Sequence, residues 1–226
     1  MATAIAPQPS STLAPATPAT VPTAPSVPVQ PISRSATYDT VDSLRLFSIA
    51  DYDAMIQAGI LGKSDKVELL EGKVVLKMAR DPEHDGTIQI LQDLLYSVIP
   101  KSWTIRTQLA FALSVGESQP EPDFAIVRGS GRDYRTRHPH PADVGLVIEV
   151  SNSSLKRDTS DKARIYSTND AVEYWVVNLI DRRIEVYTKP SGGAYTSLKS
   201  YASGDDIPLT LDNVLIATLS VSDILL

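Results

Sequence analysis

The feature that most constrains this chain is a strand-like run, Gly145-Leu146-Val147-Ile148-Glu149-Val150-Ser151, with a carboxylate in its middle. Aliphatic and β-branched residues, bounded by Asp143 before and Ser151-Asn152-Ser153-Ser154 after, make the pattern of a buried strand. An ionised side chain between Ile148 and Val150 is costly to bury unless it is paired, protonated or bound to a metal. The rest of the chain must therefore supply something that holds Glu149.

Two residues meet that demand. Asp123 opens the run Pro122-Asp123-Phe124-Ala125-Ile126-Val127, which reads as the strand before Glu149, and Pro122 biases its neighbourhood toward extended backbone. If the two strands are neighbours, both carboxylates meet at one end of a sheet and can hold a hard divalent cation, Mg²⁺ or Mn²⁺, through oxygen. Lys162 lies on the next helical stretch, where its flexible stem can return an ammonium to the same point. Two acids and a lysine around such a cation are suited to phosphodiester hydrolysis. The metal lowers the pKa of a bound water, and the lysine orients that water or stabilises developing charge.

The flanking patterns build one domain around these strands. Ser48 and Asp51 make a capping-box start for a helix over Ser48–Ala58, with Ile49, Tyr52, Met55 and Ile56 on one face. Val67–Leu70 and Lys73–Lys77 flank Glu71-Gly72, a hairpin-type dipeptide, and Glu68 sits in the first of these strands. Pro82 opens a helix to about Ile99, with Ile88, Leu91, Leu94, Leu95 and Val98 as its apolar stripe. Trp103–Arg106 and Leu109–Leu113 read as strands, 128–142 as a loop rich in Arg, His and Pro, and Asp158–Thr168 as a helix. Val172–Leu179 and Arg183–Tyr187 form an antiparallel pair, and Ala194–Leu226 supplies short strands or turns. The expected fold is α/β, bordering on α+β, with a mixed β-sheet flanked by helices.

Composition removes other classes. With no cysteine in 226 residues, disulfide scaffolds, thiol catalysis and Cys-ligated zinc are excluded. A net charge of −6 argues against a protein wrapped in nucleic acid, but is compatible with an acidic metal site beside a local basic groove. Ser151, Ser153 and Ser154 lack a nucleophile-elbow context, and no Gly-rich phosphate loop is present. His138-Pro139-His140 offers two histidines without a third ligand, too few for a zinc site.

Residues 1–37 form a separate region of Ala, Pro, Thr, Ser and Val in which Arg34 is the only charge, so a disordered, partly polyproline II tail is expected ahead of a domain over 38–226. The tail has neither the basic start nor the unbroken apolar core of a signal peptide, which makes the cytoplasm the default location. No apolar run reaches the roughly 20 residues of a membrane span.

The motifs Val67-Glu68-Leu69-Leu70-Glu71-Gly72, Pro122-Asp123, Val147-Ile148-Glu149-Val150-Ser151, Arg157-Asp158 with Lys162 and Tyr166, and Val172-Glu173-Tyr174-Trp175-Val176-Val177 together resemble the Uma-type restriction endonuclease family of the PD-(D/E)XK nuclease superfamily. The resemblance spans about 45 to 225 and implies a restriction-endonuclease-like fold and Mg²⁺-dependent cleavage of DNA. It implies Asp123 and Glu149 as metal carboxylates, Lys162 as the catalytic lysine and Glu68 as a supporting acid and metal ligand. His84 matches a position often His in such proteins. In one respect the chain departs from the superfamily pattern: Ser151 stands where a lysine is expected two residues after Glu149, so Lys162 must act as a migrated equivalent.

Each assignment has a plainer alternative. Glu149 could be satisfied by an arginine or a backbone amide, Lys162 by Asp158 four residues earlier, Glu68 by a partner across its hairpin, and His84 could be a packed helix residue. Arg128, Arg132, Arg135 and Arg137 against Asp133 give segment 128–140 a net charge of +3. It links the two acidic strands, so it is expected either to contact nucleic-acid phosphates beside the site or to be a solvated loop. The fold could also persist in a non-catalytic interaction or nucleic-acid-binding protein. A homodimer is the general prior for an enzyme cutting both strands.

Overall fold

The computed structural model describes residues 44–62 and 64–225. The expected tail over 1–37 lies outside the described residues.

Local signals set most elements. Ser48 caps α1 (Ile49–Gln57) and forms the expected capping box with Asp51. Only Tyr52 of its apolar face is buried, and Ile56 is 45 % exposed, so the helix lies across the domain edge and not on the core. Glu71 and Gly72 make the two-residue turn between β1 (Val67–Leu70) and β2 (Lys73–Leu76), both at positive φ (50° and 71°) as a type I′ hairpin requires. A Cβ on Gly72 would also fall 2.8 Å from the Leu46 Cβ. Asp81 caps α2 (Pro82–Val98), which ends before Pro100.

Next come β3 (Trp103–Thr107), β4 (Phe124–Arg128), β5 (Val144–Ser151), the helical run α3 (Leu155–Arg157), a π-turn (Asp158–Lys162) and α4 (Ala163–Thr168), then β6 (Glu173–Asn178) and β7 (Arg183–Ser191). The chain continues as β8 (Ala194–Ala202), β9 (Asp206–Leu211), β10 (Val214–Ser220) and α5 (Val221–Ile224). Leu109–Leu113 is not a strand. Gln108 turns left-handed at φ 56° and ends β3, and the backbone beyond it bonds to Pro120, Pro139 and Ser118 instead of to a ladder. Phe111 and Leu113 are nevertheless fully buried, which accounts for the strand-like pattern.

Six strands form one mixed sheet in the order β3-β4-β5-β6-β7-β8, and β1-β2 and β9-β10 are separate two-stranded sheets. Of the neighbours in the large sheet only β5 and β6 run parallel, joined by the helical crossover α3–α4. Every other pairing is antiparallel, which puts the fold on the α+β side of the border. Strand alternation sends Phe124, Ile126, Leu146, Ile148, Val150 and Trp175 to a core closed by α2 and by β9-β10. The opposite face carries Ala125, Val127, Val147, Tyr174 and Val176 against Phe111, Leu113, Ile165 and Tyr166. Glu149 belongs by the same alternation to this second face. Among the described residues, no helix is long and apolar enough to cross a membrane.

Candidate active site

The antiparallel register of β4 and β5 decides where the acids fall. Phe124 lies opposite Ile148, so Asp123, one residue before β4, stands opposite Glu149. Asp123 Oδ2 accepts a hydrogen bond from the Val150 amide at 2.9 Å, which ties its carboxylate to the partner strand. The condition that the two strands be neighbours is met.

Lys162 reaches back from the π-turn. Its ammonium donates to Glu149 Oε1 at 2.9 Å, and lies 3.5 Å from Glu68 Oε1 and 3.8 Å from Asp158 Oδ1. Tyr166, one turn further along, donates to the same Glu149 Oε1 at 2.7 Å. Both donors share one oxygen, and Glu149 Oε2 makes no hydrogen bond among the described residues. Ser151, at the position expected to be lysine, donates to Asp158 Oδ2 at 2.7 Å and so holds the fourth carboxylate beside the lysine. Glu68 arrives on β1 and accepts from the Glu121 amide at 3.3 Å. Its hairpin joins the core through a bridge between Leu69 and Gln119.

The wall opposite is built on the start of α2. Asp81 caps the helix through the His84 amide and also accepts from Asn152 at 2.6 Å, which fixes the helix start to the exit of β5. His84 is then buried in the first turn, with Nε2 3.4 Å from Asp123 Oδ2. Asp123 Oδ1 is held more loosely, 3.4 Å from Gln108 Nε2 and 3.9 Å from Arg80 Nη2.

Electrostatics follow from four buried carboxylates, Glu68, Asp123, Glu149 and Asp158, around one lysine. Burial pushes the Glu149 carboxyl up to about 8, Lys162 pulls it back, and Asp158, Asp123 and Glu68 push the same way as burial. Burial opposes the charge on Lys162, but Glu149, Glu68 and Asp158 outweigh it and hold the ammonium above its ordinary range. Burial also works to raise Asp123, yet the His84 ring, the Val150 amide and Lys162 more than offset it and keep Asp123 ionised below its usual range. His84 is destabilised as a cation by burial and restored by Asp123, with a net rise. Near neutral pH the cluster thus has a charged lysine, a charged Asp123 and a Glu149 that retains a proton unless a cation replaces it.

The donor set fits a hard cation. All the candidate ligands are oxygens, and they come from carboxylates buried at one end of the sheet. Among the described residues no three His, Asp or Glu side chains are gathered into a ready-made ligand set. Mg²⁺ does not require one, because it is commonly held by one or two carboxylates and completes its shell with water and substrate phosphate. Asp123 and Glu149 could serve as those two.

The structure separates Arg128 from this cluster and engages Arg137 elsewhere. Arg128 ends β4, five residues from Asp123 or about 17 Å along an extended strand. It pairs with Asp212 and stacks on Trp103 at 4.9 Å. Arg137 pairs with Asp143 at 2.6 Å and stacks on Tyr134 at 5.0 Å. Arg132 and Arg135 are exposed in the same loop. The chain leaves β4 at the end of the sheet away from Asp123 and re-enters β5 at that same end, while Tyr134 between them folds back to within 5.6 Å of the Arg106 guanidinium. Sequence reasoning also missed the contributions of Tyr166, Ser151 and Gln108 to the cluster. Tyr166 was visible as the residue four beyond Lys162 on one helix, but nothing local signals the π-turn.

A mixed six-stranded sheet flanked by helices is a fold that this chain shares with a nuclease neighbour. Residues 49–220 match the Uma2 family, described as "Putative restriction endonuclease", and the chain belongs to that family. Among solved structures it is similar to "a putative nuclease belonging to DUF820" from Anabaena variabilis ATCC 29413. That similarity has a TM-score of 0.61 at 14 % identity and covers 79 % of this chain and 97 % of the other. No curated protein matches the chain.

Proposed function

We propose that the protein is a metal-dependent endonuclease that hydrolyses phosphodiester bonds in DNA. One observation carries the reading: Glu149 and Glu68 are buried beside Lys162, and Asp123, held by His84 and the Val150 amide, stands opposite Glu149 at one end of the sheet. Asp123 and Glu149 would hold Mg²⁺ or Mn²⁺, with Glu68 in support. When bound, that cation supplies an activated water and neutralises charge on the phosphate.

The side chains have separable tasks in this reading. Lys162, held protonated by its acidic neighbours, donates hydrogen bonds and stabilises charge on the phosphoryl oxygens, and does not serve as a base. Tyr166 and Lys162 occupy Glu149 Oε1 and leave Oε2 for the cation. His84 and the Val150 amide fix Asp123 through Oδ2, and Oδ1, held only by the longer contacts to Gln108 and Arg80, would be available to the cation. Water adds at phosphorus, one P–O ester bond breaks, and the leaving oxygen takes a proton.

Conversion of supercoiled plasmid with Mg²⁺ or Mn²⁺, by wild type and Asp123→Ala, tests the reading. Cleavage by wild type alone supports it, and equal activity in both, or none with either metal, sinks it. A second reading, a non-catalytic interaction or nucleic-acid-binding protein with the same fold, is favoured by one observation. Lys162 already pairs with Glu149 at 2.9 Å, with Glu68 and Asp158 close by, as a purely structural cluster would. Calorimetry separates the two readings, since only the nuclease reading requires Mn²⁺ heat that disappears with Glu149→Gln.

A further inference from the structure

Among the described residues, Lys77, Arg157 and Lys162 at the mouth of the acidic cleft each donate at least one hydrogen bond, and Arg80 donates none. Lys77 pairs with Glu121, Arg157 donates to the Leu76 carbonyl at 2.7 Å, and Lys162 is buried among three carboxylates. Arg80 lies on the linker between β2 and α2, its side chain 38 % exposed. Its only ion pair among the described residues is the 3.9 Å contact to Asp123 Oδ1, and its guanidinium makes no hydrogen bond among them. A guanidinium has five N–H donors in a planar fork, so this one is charged, accessible and unused. The same side chain also lines an open groove that continues from the cleft past Met78 toward α1.

We propose that Arg80 is a phosphate-binding residue of the cleavage site, and that it grips a backbone phosphate of the polynucleotide next to the one hydrolysed. The proposal rests on the nuclease reading and names the contact that brings substrate to the acids. The guanidinium fork matches two phosphate oxygens, and charge-assisted bonds of that kind are stronger than neutral ones. Its resting contact with Asp123 Oδ1 is longer than a hydrogen bond and would weaken further if Asp123 held a cation. Arg80 would then be free to turn toward the groove. Arg128 and Arg137, by contrast, are committed to Asp212 and Asp143 at the other end of the sheet.

The test is fluorescence anisotropy of a labelled DNA duplex with the full chain in Ca²⁺, repeated from about 50 to 200 mM salt, with DNA integrity checked on a gel. Arg80→Gln is expected to weaken binding about tenfold and to flatten the salt slope by about 0.9, the loss of one phosphate contact. Arg80→Lys should recover the slope while binding more weakly than wild type, because an ammonium keeps the charge but not the fork. An unchanged melting temperature is expected for both variants and separates lost contact from lost fold. Affinity and slope equal to wild type in Arg80→Gln overturn the role of Arg80 and leave the nuclease reading standing. Folded wild type that binds no DNA overturns both.

Discussion

Ile148 and Glu149 are adjacent on one strand, 0 % and 4 % exposed, and enter opposite worlds. Ile148 points into an apolar core shared with Ile88, Leu91 and Trp175. Glu149 points into hydrogen bonds with Lys162 and Tyr166 and into the field of three other acids. Equal burial therefore has unequal meaning. The first face holds the fold together, and the second spends stability on a charged arrangement that is useful only if something binds there.

The sharpest way to break that contrast is Glu149→Gln. Plasmid cleavage is expected to fall about a thousandfold or more, equivalent to about 4 kcal/mol of lost transition-state stabilisation. Thermal stability near pH 6 should change little, because Glu149 titrates near 8 and is already protonated there, and Gln copies the neutral form. A large loss of stability with retained cleavage would reverse the roles of the two faces.

Ile148→Ala is the counterpart. Chemical denaturation should show a loss of about 2–4 kcal/mol for the cavity, with cleavage by the folded fraction preserved. The pH dependence of ion binding should follow in size. Glu149 binds a proton between its ordinary value of 4.5 and its folded value near 8, so the ion-free fold loses stability as pH rises through 8. A cation must displace that proton, so apparent Mn²⁺ affinity should rise about tenfold per pH unit below 8 and then level off. Melting curves with and without Mn²⁺ at pH 6, 7 and 8.5 check this, and an ion effect that is flat across the series contradicts it. The smallest effect is expected from Arg128→Ala with Arg137→Ala, which remove two exposed ion pairs at the far end of the sheet. Stability should fall by about 1 kcal/mol and cleavage by less than about threefold.

Where residues carried their own local instructions, the sequence was readable. The Glu71-Gly72 turn, the Asp81-Pro82 start of α2 and the alternation along β4 and β5 need no tertiary partner to be recognised. The meeting of Asp123 with Glu149 follows from the same period-two logic for neighbouring strands. What was hidden depended on distant contacts. Phe111 and Leu113 are buried like strand residues, yet loops satisfy their backbone. The basic loop links the two acidic strands in sequence, but strand length puts its start and its end at the opposite end of the sheet. The bond from Ser151 to Asp158 also fills the place of the expected lysine with a different polar link, which no spacing rule anticipates.

A crystal soaked in Mn²⁺ and measured for anomalous scattering tests the central claim most directly. An Mn²⁺-binding site at the acids predicts one strong peak about 2.2 Å from both an Asp123 and a Glu149 oxygen, with Lys162 still on Glu149 Oε1. A fully soaked crystal with no peak between these carboxylates, or with Mn²⁺ held only elsewhere, would contradict it.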